Sequence, residues 1–307
     1  MEIITSLGQL HKATVPCVVA LGTFDGLHLG HQDVIRTAKE QAERTGAKLA
    51  VFTFSNHPYA LIRPDMIPPA LITPKEKQQL LEAMGVDILI DIPFNAEVAQ
   101  LTPQYFVEKL QDLGYDCLVV GENFTYGVRG EGNVHTLEES AQKLGFRLIV
   151  RHLVMGAGAV VSSTAIRQLI AEGKVEQAAK MLGRAYRLSG IVAHGNERGR
   201  LLGYPTANLE LENAQVAVPL GGVYAVRAYL ADSSVYGGMA NIGSNPTFGD
   251  VAKPRLETNI FDFSGNLYEQ PLTIEFVARI RGEVKFNGLE ALKAQLAADK
   301  EAIRRLL

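Results

Sequence analysis

The 307-residue sequence contains no tryptophan, two cysteines and no long apolar run. Cys17 and Cys117 each lie in an apolar segment and form no Cys-x-x-Cys pair. We therefore expect two reduced, buried thiols in a cytoplasmic protein, while a disulfide between them stays open. No stretch approaches the ~18–20 apolar residues that cross a bilayer, and the N-terminus lacks a basic segment followed by an apolar one. The sequence thus predicts neither a membrane-spanning helix nor a secretory signal.

The chain has little net charge of either sign. Thirty Lys and Arg residues face 33 Asp and Glu residues, which gives a net charge of -3. This balance predicts no general attraction to nucleic acid or to an anionic membrane.

The first part of the chain alternates apolar strand segments with amphipathic helix segments. The strands are "CVVALG", "KLAVFTF", "VDILIDI", "DCLVVG" and "FRLIVRHLV". Thr73 and Thr102, each followed by proline, are predicted to begin helices, and Thr136 with Glu139 has the spacing of a capping box. Repeated strand–helix units predict an α/β domain, a Rossmann-like parallel sheet with helices on both faces.

The pattern changes after about residue 182. "YAVRAYL" and "VYGGMANIG" flank the turn "ADSS" and predict a hairpin, and further short strands follow. They predict a small antiparallel β-barrel, closed by one terminal helix for which Asn287 is the expected cap. We place the domain boundary between a first domain at 1–182 and a second at 183–307.

"GTFDGLHLGH", residues 22–31, follows the first of these strands. A turn from a strand into a helix aims backbone N–H groups and the positive helix end at an anion. Gly22, Gly26 and Gly30 permit a tight turn, and His28 and His31 add donors for charge on a leaving group. Two alternatives are a plain turn with incidental histidines and a zinc site, for which no third ligand stands at a suitable spacing.

Two further segments contain groups that suit phosphate. In "SSTAIR", Ser163, Thr164 and Arg167 stand at the start of a helix, although an ordinary helix cap has the same pattern. "HGNERGRLLGYPTANLEL" suggests a flap over nucleotide phosphates, and the alternative is a basic surface loop. Its candidate residues for ATP and phosphate are Gly195, Arg198, Gly199, Arg200, Gly203, Thr206 and Asn208.

"GTFDGLHLGH" resembles the HxGH motif of the nucleotidylyltransferases, and specifically the bacterial bifunctional riboflavin kinase/FAD synthetase family. "TFSNHP" (53–58), "GENFTYG" (121–127) and "SSTAIR" (162–167) resemble that family's other loops in the same order. The resemblance implies catalytic roles for His28 and His31, and a flavin site at Asn56, Pro58 and Phe124. It places ATP or its phosphates at Gly22, Phe24, Asp25, Gly26, Gly30, Asn123, Ser163, Thr164 and Arg167.

The second half resembles the flavokinase part of the same family through "GYPTANL", "MANIGSNPTFG" and "RLETNIFDFSGNLY". The resemblance implies that Glu257 is the catalytic base and that Thr206 and Asn208 hold Mg²⁺. Arg281 is expected to contact flavin or phosphate. Asn259 and Asn266 stand where many family members carry His and Asp, and we interpret these changes as tuning.

The resemblance covers essentially the whole chain and implies a bifunctional enzyme. It would phosphorylate riboflavin with ATP to give FMN, and then adenylylate FMN to FAD with release of pyrophosphate. The expected partners are these flavins and ATP, with no nucleic acid and no membrane, in a monomer or a weak, transient oligomer. Two alternatives remain: an adenylyltransferase for another phosphate-bearing acceptor, such as a pantetheine phosphate, and a non-catalytic flavin or nucleotide sensor.

Overall fold

The computed structural model describes residues 1–156, 158–194, 203–244 and 254–307. The chain divides into two compact units, Met1–Ser163 and Thr164–Leu307. Among the residues that the structure describes, no helix is both long and apolar enough to cross a membrane.

The first unit is built on a six-stranded parallel sheet, which confirms the predicted fold class. The strand order is β1-β4-β3-β2-β5-β6, so the chain reverses its direction of winding between β2 and β5. Ligands of such sheets bind outside the carboxyl ends of the strands at that reversal. The strands are β1 (Glu2–Ile4), β2 (Cys17–Leu21), β3 (Lys48–Phe54), β4 (Ile88–Ile92), β5 (Tyr115–Gly121) and β6 (Arg147–Arg151), followed by the short pair β7 (Met155–Gly156) and β8 (Ala159–Val160).

Helices cover both faces of this sheet. They are α1 (Leu29–Thr45), α2 (Tyr59–Ile62), α3 (Pro74–Ala83), α4 (Ala96–Ala99), α5 (Pro103–Leu110) and α6 (Val134–Leu144). Two separate apolar clusters lie on the two faces, one including Ile35 of α1 and the other Phe106 of α5. Buried strands such as β2, in which all five residues are inaccessible, explain the unbroken apolar runs in the sequence.

Two of the three helix caps predicted for this unit are confirmed. The hydroxyls of Thr73 and Thr102 accept backbone N–H groups at the starts of α3 and α5. The prediction that Thr136 begins a helix is wrong, because α6 begins earlier, with Asn133 as its cap. The Asn133 side chain accepts the Thr136 N–H, and the Thr136 hydroxyl accepts the Asn133 N–H. The reciprocal pair is a capping box in which Thr136 has the inner position.

The second unit contains a closed barrel of antiparallel strands, as predicted. Its order is β10-β13-β12-β11-β14-β9, and the predicted hairpin is the β11–β12 pair. The elements are α7 (Ser163–Ala171), α8 (Val175–Leu182), β9 (Tyr186–Ala193), β10 (Ala207–Leu211), β11 (Gly222–Leu230), β12 (Val235–Ser244), β13 (Pro254–Ile260), β14 (Pro271–Arg281) and α9 (Leu289–Arg304). The cap of α9 is Gly288 and not Asn287, and no side chain caps it.

Helices α7 and α8 pack with the barrel. The backbone N–H of Leu220 donates to the carbonyl of Ile170, and the N–H of Arg279 donates to Glu176 at 3.3 Å. Gly173 separates the two helices with φ +74°, and a Cβ there would lie 2.9 Å from the Tyr224 hydroxyl. The division between the compact units therefore falls between residues 163 and 164 of the chain, whereas the composition of the sequence changes near 182.

Candidate active sites

The turn from β2 into α1 has a strained backbone. Phe24, Gly26 and Leu27 all have positive φ, at 50°, 82° and 41°. Phe24 and Leu27 are buried, and a Cβ on Gly26 would lie 2.7 Å from Leu71 Cδ1. Strain of this kind persists only where the surrounding packing imposes it, and it is common at functional sites.

His28 and His31 form a stacked pair at the end of this turn. Their ring centroids are 3.5 Å apart and the ring planes differ by 16°. His28 is the N-cap of α1, because its Nδ1 accepts the backbone N–H of His31 at 3.3 Å. Burial, together with the neighbouring His28, lowers the pKa of His31 well below its usual 6.5. At neutral pH His31 is therefore an uncharged imidazole beside a positive helix end.

The pair lacks the surroundings of a metal site. Among the residues that the structure describes, no three His, Cys, Asp or Glu side chains are grouped so that they could hold a metal ion. Nδ1 of His31 is buried and has no hydrogen-bond partner among those residues. The site therefore presents an unsatisfied nitrogen to a ligand of another kind.

A cavity of about 470 Å³ opens beside the pair in the first unit. One wall is aromatic: Phe54 packs edge-on against Phe52 and Phe94, with centroids 5.6 and 5.1 Å apart. Phe124 and Tyr126 stack at 5.7 Å with planes 11° apart. Such a wall suits a flat aromatic ligand. The polar groups lie on other parts of the lining, at His28, His31, Asn123, Arg151, His152, Ser162 and Ser163.

The structure brings together most of the site residues predicted for the first unit. Nine of them line the cavity: Gly22, Phe24, His28, Gly30, His31, Pro58, Asn123, Phe124 and Ser163.

Other predicted residues of the first unit lie behind the lining. Asp25 Oδ1 accepts the backbone N–H of Leu71 at 3.0 Å. The Asn56 amide accepts the N–H of Phe94 and donates to its carbonyl, so it fixes the backbone of an aromatic wall residue. Ser163, itself a lining residue, donates its hydroxyl to the Asp25 carbonyl at 2.9 Å. Thr164 and Arg167, on α7, belong to the second unit.

Sequence reasoning missed Phe52, Phe54, Phe94, Phe106 and Tyr126 as lining residues. The available signal was the repeated Phe at the carboxyl end of "VFTF", where parallel strands present ligand sites.

It also missed a buried ion pair beneath this wall. Lys77 Nζ donates to the Phe54 carbonyl at 2.8 Å and lies 3.3 Å from Asp91 Oδ1, with both side chains under 10% exposed. Burial lowers the pKa of Lys77, and Asp91 opposes that effect.

The second unit has a different arrangement on neighbouring barrel strands. Asn208 of β10 is directly opposite Glu257 of β13, and Glu257 is directly opposite Asn241 of β12. Opposite residues of an antiparallel pair share a face, with Cβ atoms about 5 Å apart. The Glu257 side chain is 33% exposed and lies 3.6 Å from Arg255.

Two amides around this carboxylate have different environments. Asn208 Oδ1 is buried and has no hydrogen-bond partner among the described residues. Asn259, one of the departures from the family pattern, donates to the carbonyl of Pro205 at 2.7 Å and is buried. It therefore fixes the backbone that leads to Thr206. Asn266, the other departure, accepts the N–H of Tyr268 in a turn.

Arg281 forms an ion pair within the second unit. Its guanidinium donates to both oxygens of the buried Asp299 on α9, at 2.9 and 3.2 Å. Gly203 is exposed with φ +81°. Four other predicted residues, Gly195, Arg198, Gly199 and Arg200, lie outside the described residues.

Comparison with known proteins gives matches along nearly the whole chain. The family model for FAD synthetase matches residues 10–165, and that for riboflavin kinase matches residues 182–307. A bifunctional riboflavin kinase/FMN adenylyltransferase of Bacillus subtilis is 42% identical over 94% of this chain and 92% of its own. The protein of the same description from Haemophilus influenzae is 34% identical over 99% of this chain and 98% of its own.

The match extends to a solved structure. A crystal structure described as a macrolide-efflux protein from Streptococcus pneumoniae is 33% identical to this chain, with a TM-score of 0.90. It covers 98% of each chain.

Proposed function

The chain belongs to the bifunctional riboflavin kinase/FMN adenylyltransferase family, and we propose that its two reactions are divided between the two sites described above. It is a riboflavin kinase and an FAD synthetase. We assign the phosphorylation of riboflavin to the barrel strands around Glu257 and the adenylylation of FMN to the cavity beside His28 and His31.

The kinase step requires a base, because the nucleophile is a protonated hydroxyl of riboflavin. A carboxylate within hydrogen-bond reach accepts that proton as the hydroxyl oxygen bonds to the γ-phosphorus of ATP and the bond to ADP breaks. Glu257 has this role in our proposal. It is partly exposed, so a substrate can reach it, and it lies on the same face as Asn208.

Magnesium ion is the proposed cofactor of this step. Mg²⁺ prefers oxygen ligands and combines one or two protein groups with water and substrate phosphates. The buried Oδ1 of Asn208, which has no hydrogen-bond partner in the described part of the chain, fits that requirement, and Thr206 stands two residues away with its hydroxyl. When bound, the ion would neutralise charge on the transferring phosphoryl group.

The adenylyl step needs no base, because the phosphate of FMN is already ionised at neutral pH. It attacks the α-phosphorus of ATP, and pyrophosphate leaves. The transition state requires stabilisation of negative charge, which His28, His31 and the N-terminus of α1 provide as hydrogen-bond donors. The aromatic wall of the cavity suits the flavin ring. We further propose that Thr164 and Arg167 bind phosphate, as the family resemblance implies.

One contrast carries this division. The described lining of the first cavity includes three histidines, His28, His31 and His152, and no Asp or Glu, whereas Glu257 stands at the centre of the second site. A site without a carboxylate suits a nucleophile that is already an anion, and a site with one suits a neutral hydroxyl. The match of the riboflavin kinase model to residues 182–307 also argues against a barrel of unrelated role.

Three further expectations are part of the proposal. Residues 1–182 carry the adenylyltransferase activity and residues 183–307 carry the kinase activity, although α7 and α8 pack with the barrel. Arg281, through its ion pair with Asp299, holds α9 in place and borders the flavin. The enzyme acts in the cytoplasm, as a monomer or a weak, transient oligomer, without nucleic acid or membrane as a partner, and the two free, buried cysteines agree with a reducing compartment.

A time course tests the proposal. The full chain is incubated with riboflavin, ATP and Mg²⁺, and flavins are separated by chromatography. We expect FMN to appear first and FAD to follow as FMN is consumed. Formation of FMN without FAD from this chain would contradict the assignment of a working adenylyl site to the first unit.

A further inference from the structure

The carboxyl end of β6 also lines the cavity. β6 is an edge strand of the sheet, at the opposite edge from β3 and β4. In the order β1-β4-β3-β2-β5-β6, Phe54 is the last residue of β3, and Phe94 follows β4. The stacked histidines follow β2, in the middle of the sheet. Arg151 ends β6, and His152, Leu153 and Val154 continue the lining.

This order determines how the two substrates extend, provided that the proposed function is correct. The FMN phosphate and the α-phosphate of ATP meet at the histidine pair. The flavin ring occupies the part of the aromatic wall that Phe54 and Phe94 form, on the β3 and β4 side. In an in-line displacement pyrophosphate leaves opposite the attacking FMN phosphate, and the adenosine stays bonded to the α-phosphate. The nucleotide therefore extends over the part of the lining that the flavin leaves open, toward β6.

Arg151 is distinctive on that wall. Among the described residues that line the cavity, it has the one Lys or Arg side chain. Its Nε donates to Asp33 Oδ2 at 2.7 Å and an Nη donates to Oδ1 at 3.2 Å, which fixes the plane of the guanidinium against α1. Asp33 stands next to Val34, which also lines the cavity. The bidentate hydrogen bonds raise the pKa of Arg151, so the charge is permanent.

The backbone around Arg151 is held equally firmly. The carbonyl of Arg151 accepts the N–H of Glu122 at 2.9 Å. The Glu122 carboxylate accepts the N–H of Leu153 at 3.1 Å and lies 2.7 Å from Nδ1 of His152. The wall is therefore joined to the end of β5 and to α1, and it presents a planar cation with a defined orientation.

We infer that Arg151 contacts the adenosine half of ATP, with Asp33 as the residue that positions it. A guanidinium whose edge is occupied by a carboxylate still offers its flat faces. Those faces stack on an aromatic ring such as adenine through cation–π attraction. Arg151 is thus a nucleotide-binding residue of the adenylyl site, and Asp33 is its positioning residue.

The test compares Arg151→Met, Asp33→Asn and the matched control Arg147→Met, which lies at the other end of β6. FAD formation from FMN is measured over a range of ATP concentrations. We expect Arg151→Met to raise KM for ATP roughly 2- to 30-fold with kcat unchanged, the range of a cation–π contact. Asp33→Asn should give a smaller rise, and Arg147→Met none. The double variant should match Arg151→Met, because Asp33 acts through Arg151.

Pyrophosphate, which lacks the adenosine, separates the two halves of the nucleotide. Its inhibition of FAD formation should be equal in Arg151→Met and the wild-type chain. If pyrophosphate inhibits Arg151→Met more weakly than the wild-type chain, in proportion to the rise in KM for ATP, the guanidinium binds the phosphates. That result would overturn the assignment. If Arg151→Met does not fold, Arg151→Lys takes its place: it keeps the charge but loses the flat faces, and it should still raise KM.

A wild-type KM for ATP in the folded Arg151 variant would overturn the inference while leaving the proposed function intact. The proposed function fails in a different way, through a wild-type chain that makes no FAD. Riboflavin phosphorylation by the same preparations should be unchanged in every variant.

Discussion

Asn208 and Glu257 lie directly opposite each other on neighbouring antiparallel strands of the barrel. One presents a buried amide oxygen without a partner among the described residues, and the other presents a partly exposed carboxylate. The pair places a candidate metal ligand about one side-chain length from a candidate base. Because the two groups have different proposed tasks, their substitution should give different kinetic signatures.

Glu257→Gln removes the base but keeps the size of the side chain. We expect the rate of FMN formation from riboflavin to fall about 10²- to 10⁴-fold, the range of general base catalysis. FAD formation from supplied FMN should be unchanged. The control is Glu290→Gln on α9, whose side chain is 89% exposed. Riboflavin phosphorylation at the wild-type rate would show that Glu257 is not the base.

Asn208→Ala removes the proposed oxygen ligand. Loss of one polar contact to a charged group costs about 10- to 100-fold in affinity, so the Mg²⁺ concentration for half-maximal riboflavin phosphorylation should rise by that factor. The Mg²⁺ dependence of FAD formation should be the same as in the wild-type chain. An unchanged requirement in the kinase assay would remove Asn208 from the metal site.

The stability of the first unit should depend on pH through His31. Burial lowers the pKa of His31 below its usual 6.5. Below pH 6.5 the unfolded chain therefore binds a proton at His31 more readily than the folded chain does. The corresponding stability is complete above pH 6.5 and is lost as the pH falls below it. Urea unfolding of the wild-type chain and His31→Gln, at pH 7.5 and 5.5, measures this. The loss of stability on acidification should be smaller in the variant, and an equal loss in both would contradict the pKa direction.

Lys77→Met leaves Asp91 buried without its partner. Breaking a buried ion pair in this way costs about 3–5 kcal/mol in the free energy of unfolding. The double variant with Asp91→Leu should recover much of this, because no buried charge remains. Lys75→Met, an exposed lysine on the same helix, is the control. Urea unfolding followed by circular dichroism measures all four proteins, and a Lys77→Met variant as stable as its control would contradict the pairing.

The sequence was sufficient to predict the parallel sheet, the barrel and the turn between β2 and α1. Buried parallel strands give unbroken apolar runs, and a turn with glycine and a helix cap gives a local pattern, so both can be recognised without the fold. The error at Thr136 has a related cause. Two polar residues three positions apart, Asn133 and Thr136, can each begin a helix, and local sequence does not choose between them.

Contacts between distant segments could not be predicted in this way. Lys77 of α3 contacts the carbonyl of Phe54, at the end of β3, and the carboxylate of Asp91 in β4. Arg151 donates to Asp33, which is 118 positions away in the sequence. Nothing in the periodicity of either segment indicates such a partner. The aromatic wall is similar, because its members come from β3, the loop after β4, α5 and the loop after β5, and only the sheet order brings them together.

The division of the two reactions between His28 and Glu257 is tested most directly by mixing two variants, each of which has lost one of the two reactions. His28→Ala should reduce FAD formation from FMN about 10²- to 10³-fold, the effect of losing one transition-state donor, while it still makes FMN. Glu257→Gln should still convert FMN to FAD. His135→Ala, an exposed histidine on α6, is the control for the first variant.

Supplied with riboflavin, ATP and Mg²⁺, neither variant alone should make FAD at an appreciable rate. An equimolar mixture should make it, because FMN released by the His28→Ala chain is a substrate for the Glu257→Gln chain. A mixture that forms no FAD, while each variant retains its own remaining reaction, would contradict two sites that share FMN as a free intermediate.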